Sequence, residues 1–177
     1  GKFMGKKDKT FKVNGIIAEY NPFHNGHKYQ LENAKSQSGA DYTVIAMSGN
    51  FMQRGTPALL DKYRRAEMAL LSGADLVLEL PAFYAASSAE YFASGAVALL
   101  DKLGVVDFLC FGSECGDIEI LRQIADILLE EPSEFVSLLK ENLHEGFSYP
   151  IARTSALLQY RPDLSAHRDV LSSANNI

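Results

Sequence analysis

Residues 15–27 read GIIAEYNPFHNGH, and this stretch says more about fold and chemistry than the rest of the chain. An apolar, β-like segment leads through an Asn-Pro turn into His24 and His27, which stand where a helix is expected to begin. A helix N-terminus presents unpaired backbone N–H groups and a partial positive charge. Two imidazole donors added there predict a phosphate site, suited above all to the negative charge that grows when a nucleotide α-phosphate is attacked.

The spacing of the two histidines leaves alternatives open. Because His24 and His27 are three positions apart, both side chains can face the space above the first helical turn, and Gly26 leaves room for a ligand near the backbone. Two surface histidines at a turn are the plain alternative. Half of a metal site fits less well, because His144 and His167 are isolated and no third ligand is suitably spaced. The preceding strand and the Asn-Pro-Phe turn favour the nucleotide-phosphate site.

Short β-rich runs alternate with helical segments over the rest of the chain. Strands are predicted at residues 11–18, 42–47, 76–80 and 105–111, and helices at 26–37, 61–72, 87–103, 118–130 and 133–145. This alternation predicts an α/β fold, a Rossmann-like doubly wound parallel sheet with right-handed crossovers. The last strand is nearly continuously apolar, as expected of a strand buried on both faces. Residues 148–177 are weakly patterned and rich in turn residues.

Two predicted helices carry local signals. The run from Ser87 to Glu90 fits a capping box. Tyr63, Ala66 and Leu70 show the spacing of a helix over 61–72, and the following residue, Gly73, is a usual C-terminal cap.

The predicted topology links two distant loops. In an open doubly wound sheet, ligands bind beyond the carboxyl ends of the strands, where the winding direction reverses. If the first and fourth strands are neighbours, the loops at 20–27 and 112–114 flank that crevice together. One loop would hold the phosphates and the other the nucleoside.

Composition sets broad limits. A chain of 177 residues with 47% hydrophobic and 22% charged content fits one globular domain. We expect it to span residues 13–177, after a tag-like or disordered segment at 1–12. No apolar run is long enough to cross a bilayer. The two cysteines, Cys110 and Cys115, make no disulfide framework, which suits a reducing cytoplasm.

Charge is unevenly distributed along the sequence. Residues 1–15 carry five lysines and one aspartate, a charge of +4, so the net charge of −5 leaves −9 for the remainder. An acidic protein surface attracts a phosphate backbone poorly, so we expect most RNA contacts to come from outside this acidic part of the protein. The sequence also lacks the Walker, dinucleotide-binding and nucleophile-elbow motifs.

The motifs together resemble a known family. HNGH at residues 24–27 matches the H-x-G-H signature of nucleotidyltransferases and class I aminoacyl-tRNA synthetases. With SGNFMQRG at 48–55, GADLVLELP at 73–81 and FGSE at 111–114, the sequence resembles the bacterial tRNA(Met) cytidine acetate ligases from about residue 13 onward. The resemblance implies a HIGH-type nucleotidyltransferase fold and ATP-dependent conversion of acetate to acetyl-adenylate. It also implies transfer of the acetyl group to the wobble cytidine of elongator tRNA(Met), which forms 4-acetylcytidine.

The resemblance also implies which residues act. His24 and His27 would contact the ATP phosphates and the adenylation transition state as catalytic residues. The implied ATP-binding residues are Ile17, Ala18, Glu19, Tyr20, Asn21, Pro22, Phe23, His24, Asn25, Gly26, His27, Gly112, Ser113 and Asn175. No protein metal site is expected, since Mg²⁺ would arrive with the triphosphate.

The loop after the second strand adds candidates of its own. Arg54 could hold a carboxylate or phosphate by paired hydrogen bonds, and Asn50 and Gln53 are further candidates for acetate or phosphate contacts. Lys62, Arg64 and Arg65 form a basic cluster nearby, which is either part of this site or the solvated face of a helix.

The family pattern continues beyond residue 177, into a basic nucleotide-binding element and a region associated with tRNA. We therefore expect the chain to be an N-terminal catalytic domain whose contacts with elongator tRNA(Met) lie mainly elsewhere. Two other functions stay open: a nucleotidyltransferase that adenylylates a phosphorylated metabolite, and a non-catalytic nucleotide- or RNA-binding module.

Overall fold

The computed structural model describes residues 9–53, 55–113, 117–167 and 171. The chain divides into two compact units, Gly1–Phe111 and Gly112–Ile177. That the two units together make one catalytic domain stays a prediction. Within the described residues, no helix is both long and apolar enough to cross a membrane.

The first unit contains four strands and four helices within its described residues. In chain order these are β1 (Val13–Ala18), α1 (Asn25–Ser38), β2 (Tyr42–Ser48), α2 (Lys62–Leu71), β3 (Leu76–Leu80), α3 (Ala82–Ala85), α4 (Ala89–Leu103) and β4 (Phe108–Cys110). The strands form one parallel sheet in the order β3-β2-β1-β4. The predicted α/β architecture and the neighbouring first and fourth strands are thus confirmed.

The helices cover both faces of the sheet because side chains alternate between its faces. On one face Ile45 of β2 packs with Leu31 of α1 and Ala69 of α2. On the other face Val44 packs with Leu100 of α4. The chain winds from β1 through β2 to β3 and then returns to the far side of β1. Uniformly handed crossovers require the helices before and after this reversal to lie on opposite faces, as they do here.

Aspartates set the amino-terminal edge of the sheet. Asp41, Asp75 and Asp107 each directly precede a strand. The backbone N–H of each aspartate donates to a carbonyl at or just before the start of the neighbouring strand, at 2.8–2.9 Å. Its carboxylate accepts a backbone N–H from the same neighbouring segment at 2.8 Å. This repeated pair of bonds satisfies backbone groups at the start of the ladder and fixes the register.

Replacing Asp75 with alanine should lower the free energy of unfolding by about 1 kcal/mol, because the Thr43 N–H loses its acceptor at the sheet edge. Urea denaturation measures the change. Asp75→Asn is the matched control, since it keeps an acceptor oxygen and should lose less. Equal losses in the two variants would show that the carboxylate charge matters and the hydrogen bond does not.

The fourth strand differs from its prediction. Only Phe108–Cys110 is extended in the ladder, and β4 lies at an edge of the described sheet. Phe108 and Leu109 are exposed, so burial on both faces was wrong for this strand. Asp107 caps the neighbouring strand, and Val106 packs beneath the sheet. The apolar run therefore includes an approach segment as well as the strand.

Two predicted helices can be compared with their local sequence signals. The N-cap of α4 is Ser88, whose hydroxyl accepts from the Tyr91 N–H, so the capping box from Ser87 was wrong. In α2 the buried residues are Arg65 and Ala69. The helix predicted over 61–72 is thus present, although Tyr63, one of the residues whose spacing indicated it, is 75% exposed.

The second unit is helical in its described residues. It comprises α5 (Ile118–Glu130), α6 (Ser133–His144), α7 (Tyr149–Tyr160) and a 3-10 helix (Pro162–His167). Phe135 and Leu157 lie in its buried core, and Asn142 of α6 donates to the Ala152 carbonyl of α7. The helix α7 lies within residues 148–177, where the weak sequence pattern predicted no helix. Its proline is in the first turn, where the missing N–H costs no intrahelical bond.

Candidate functional site

The strand order places a ligand-binding edge at the carboxyl ends of β1 and β4. The winding direction reverses between these two strands, which is where open parallel sheets bind ligands. A short loop leaves β1 after Ala18 and enters α1 at His24. We call residues 19–24 the first loop. The two histidines therefore lie at the sheet edge that the topology favours.

His24 starts the helix by capping it. Its backbone is extended, and its Nδ1 accepts a hydrogen bond from the Gly26 N–H at 3.1 Å. In return, Nδ1 of His27 accepts from the His24 N–H at 3.3 Å. The pair forms a reciprocal cap in which histidines take the places more often held by serine and glutamate.

This cap determines where the ring protons lie. A neutral imidazole has one donor nitrogen and one acceptor nitrogen, so accepting at Nδ1 puts the proton on Nε2. His24 and His27 therefore each present an Nε2–H donor. Their rings stack with centroids 3.6 Å apart, at an interplanar angle of 22°.

The surroundings add to the preference for an anion. The first turn of α1 contains no acidic side chain, so the positive end of the helix dipole is not neutralised from within. Two Nε2–H donors at that helix start can stabilise negative charge on a phosphate. The donor set thus fits a nucleotide triphosphate.

The rings of Tyr20 and Phe23 pack against the imidazole of His27. Tyr20 is buried, and its ring lies 4.8 Å from those of both His27 and Phe23, centroid to centroid. Tyr20 has a positive φ of 51°, which turns the chain sharply after β1. Burial, and secondarily the charge of His24, lowers the pKa of His27 below its usual 6.5. The imidazole of His27 is therefore held neutral at pH 7.

This lowered pKa predicts how stability changes with pH. Between the folded-state pKa of His27 and 6.5, the unfolded chain binds more protons than the folded chain. Stability should therefore rise with pH through this window and fall on acidification below pH 6.5. Urea denaturation at pH 7.5 and 5.5 should show a larger loss for the wild type than for His27→Gln. Equal losses would mean that His27 titrates normally.

Gly26 is required by the cap itself. A Cβ at this position would lie 2.9 Å from Cε1 and 3.1 Å from Nδ1 of His24. Any side chain would therefore push the His24 ring away from the Gly26 N–H. The glycine of the H-x-G-H sequence makes room for the first histidine in addition to any ligand.

Arg65 is a member of the predicted basic cluster whose buried role the sequence did not indicate. It is 0% exposed, and its guanidinium donates to four backbone carbonyls. These belong to Glu19 in the first loop (2.7 Å), Ser48 at the end of β2 (3.1 Å), Gly49 just after it, and Leu60 before α2 (2.9 Å). The sequence signal that could have indicated its burial was helical spacing, because Arg65 and the small residue Ala69 are four positions apart and share one helix face.

The other two cations of the predicted basic cluster are paired. Lys62 lies 2.6 Å from the Glu79 carboxylate, and Arg64 is on the exposed face 3.6 Å from Glu67. The hydrogen bond from Lys62 to Glu79 raises the pKa of the lysine. Arg64 lies on the solvated face of α2, whereas Arg65 is buried, so the three cations do not share one environment.

The second loop, residues 49–61, is tied to the first. Asn21 Oδ1 accepts the Leu59 N–H at 2.8 Å, and the Glu19 carboxylate accepts the Gln53 N–H at 3.4 Å. Asn50 Oδ1 accepts the Lys62 N–H at 3.0 Å and so supports the start of α2. The structure thus brings Gln53 beside the first loop, whereas the Asn50 side chain has a capping role. Contacts of either with acetate or phosphate stay predictions.

The remaining predicted site residues fall into three groups. Ile17 and Ala18 end β1, and residues 19–27 form the first loop and the start of α1, with a cis bond between Asn21 and Pro22. Gly112 and Ser113 follow β4 and begin the second unit. Arg54 and Asn175 lie outside the described residues. Among the residues described, no group of three or more His, Cys, Asp or Glu side chains could hold a metal.

Comparison with known proteins finds matches over most of the chain. A family model described as HIGH Nucleotidyl Transferase matches residues 11–177. The tRNA(Met) cytidine acetate ligase of Acetivibrio thermocellus is 57% identical over 166 residues, which are 94% of this chain and 40% of that protein. The corresponding ligase of Clostridium novyi is 50% identical over 165 residues, 93% of this chain and 41% of that protein.

A solved structure is also similar. The crystal structure of Thermotoga maritima TmcAL bound with alpha-thio ATP is 48% identical, with a TM-score of 0.86 over 93% of this chain and 41% of that one. The chain thus spans about two fifths of the length of the relatives it matches. These likenesses confirm the resemblance drawn from the sequence motifs.

Proposed function

The chain belongs to the HIGH nucleotidyl transferase family, and on that basis we propose that it activates acetate with ATP. In the proposed reaction a carboxylate oxygen of acetate attacks the α-phosphorus. The bond from that phosphorus to the β-phosphate bridging oxygen breaks, and pyrophosphate leaves. The product is acetyl-adenylate.

The reciprocal histidine cap is the observation that carries this proposal. Negative charge grows on the phosphate oxygens as the acid attacks, and fixed N–H donors stabilise it without having to reorient. The backbone bonds at Nδ1 fix the Nε2–H donors of His24 and His27. The lowered pKa of His27 keeps this donor neutral, so the two stacked rings avoid mutual repulsion.

The remaining ATP contacts follow from the resemblance and the fold. The resemblance implies that residues 17–27 contact ATP, and it implies the same for Gly112, Ser113 and Asn175. Asn50, Gln53 and Arg54 are proposed to contact acetate or phosphate. Mg²⁺ would arrive with the triphosphate and reduce its charge, so few protein ligands are needed.

In the second proposed step, N4 of the wobble cytidine in elongator tRNA(Met) attacks the acetyl carbonyl. AMP leaves, N4 loses a proton, and 4-acetylcytidine forms. The names of the relatives support this choice of acceptor. Because residues 16–177 carry a charge of −9, most of the attraction for tRNA would come from outside them. We expect this chemistry in the cytoplasm, where tRNA is modified.

The experiment incubates the chain with ATP, Mg²⁺ and labelled acetate and measures pyrophosphate and acetyl-adenylate. The proposal predicts both products, and acetylated tRNA when elongator tRNA(Met) is added. Pyrophosphate released with a phosphomonoester and not with acetate would favour the general nucleotidyltransferase. ATP binding without pyrophosphate from any acid would identify a binding module and reject the proposal.

A further inference from the structure

We propose that Arg65 is the positioning residue of the nucleotide site, acting through the first loop on His24 and His27. The ATP-binding part of the test rests on the proposed function. The contacts of Arg65 do not depend on which acid ATP activates. Arg65 lies on α2 and reaches the carboxyl ends of both β1 and β2. It contacts the segments that carry the site without being one of the predicted ligand contacts.

The four carbonyl bonds explain why an arginine is needed here. Strands β1 and β2 end at Ala18 and Ser48, so the carbonyls of Glu19 and Gly49 lie beyond the parallel ladder. Buried carbonyls need donors. The planar guanidinium offers five N–H groups in a fixed fork, whereas a lysine offers three on a flexible stem. Arg65 can thus hold the two loops at a fixed separation.

The charge of Arg65 fits the same role. Burial lowers the pKa of its guanidinium, yet an arginine stays protonated in proteins. Its hydrogen-bond partners are carbonyls, and the carboxylates of Asp61, Glu19 and Glu79 act on it only through longer-range attraction. Arg65 thus places a buried positive charge at the carboxyl ends of β1 and β2, and such a charge attracts anions.

The path from Arg65 to the histidines is short. Arg65 holds the Glu19 carbonyl, and the next residue, Tyr20, turns the chain with its positive φ. The Tyr20 ring packs against Phe23 and His27, and Phe23 is followed by the helix cap. A shift of the Glu19 carbonyl therefore moves the ring on which His27 rests.

The decisive variant is Arg65→Lys, which keeps the positive charge and loses the planar set of N–H donors. Its matched control is Arg64→Lys, the neighbouring exposed arginine of the same helix. Imidazole ¹⁵N spectra report which ring nitrogen of each histidine carries the proton. We expect Arg65→Lys to shift His27 from the Nε2–H form toward a mixture of forms and to raise the ATP Kd at least tenfold. Arg64→Lys should leave both unchanged.

The outcomes separate this inference from the proposed function. A folded Arg65→Lys with wild-type histidine spectra overturns the inference whatever ATP does. A wild type that binds no ATP removes the proposed function, while the histidine spectra still test Arg65.

If Arg65→Lys does not fold, the wild type itself supplies the test. The Nε–H resonance of Arg65 should be protected from solvent exchange and should shift on saturation with ATP, whereas that of Arg64 should not. Once ATP binding has been measured independently, an Arg65 Nε–H resonance that does not shift with ATP overturns the inference.

Discussion

His27→Ala is expected to lower the rate of acetyl-adenylate formation by about 10²–10³-fold, the usual effect of removing one fixed donor from a developing oxyanion. The variant loses an Nε2–H that the backbone holds in a single protonation form. The loss should appear mainly in kcat, because the donor matters most when charge grows in the transition state. Pyrophosphate release at saturating ATP and acetate measures it.

The companion variant at the cap is His24→Asn. An alanine there would also remove the N-cap, at a cost of about 1 kcal/mol. Asparagine caps helices well and can still accept the Gly26 N–H, but it has no equivalent of Nε2–H. We therefore expect a stable protein with a loss of rate similar to that of His27→Ala.

His144→Ala, at the end of α6 in the second unit, is the control and should keep the wild-type rate. Full activity in both His24→Asn and His27→Ala would remove the histidines from the mechanism. Loss in the control as well would mean that the assay reports general damage.

Gly26→Ala is expected to separate activity from stability. Alanine is favoured over glycine within a helix by about 1 kcal/mol, so propensity alone predicts a more stable protein. The new Cβ, however, would lie 2.9 Å from Cε1 of His24 and displace the ring. A misplacement of about 1 Å in a catalytic group can cost about 10²-fold in rate. We expect activity to fall by about that factor while Tm stays within a few degrees of the wild type.

Ser36→Ala provides the comparison for this variant. Ser36 is exposed near the end of the same helix, so alanine there raises helix propensity without touching the cap. Its activity should equal that of the wild type. If Gly26→Ala were as active as Ser36→Ala, the His24 ring would tolerate displacement and its capping geometry would not matter for catalysis.

Local patterns predicted the framework because they depend on neighbouring residues. The strand over 76–80 and the helix over 118–130 have the predicted bounds, since turn residues and apolar periodicity mark both. Patterns that depend on distant partners were less reliable. The run over 105–111 looks like a buried strand, but only three of its residues join the ladder at the edge of the sheet.

The first loop and the start of α1 show how far the site itself was predictable. The two histidines, Gly26 and the helix start were predicted from thirteen consecutive residues, 15–27. The protonation form of the rings was not, since it depends on two hydrogen bonds that exist only when the cap is folded. Asn50 was predicted as a ligand contact, yet its side chain also supports α2, a role that spacing alone could not indicate.

The sequence by itself determined the alternating α/β order, the family resemblance and the H-x-G-H pair at the start of a helix. These follow from periodicity and from residues adjacent in the chain. Only the tertiary structure distinguished Arg65 from Arg64 and Lys62, three cations within four positions. Their roles depend on which side of α2 packs against the sheet. That side carries Arg65, whose guanidinium donates to the carbonyls at the ends of β1 and β2. Those carbonyls come together only when the sheet has formed.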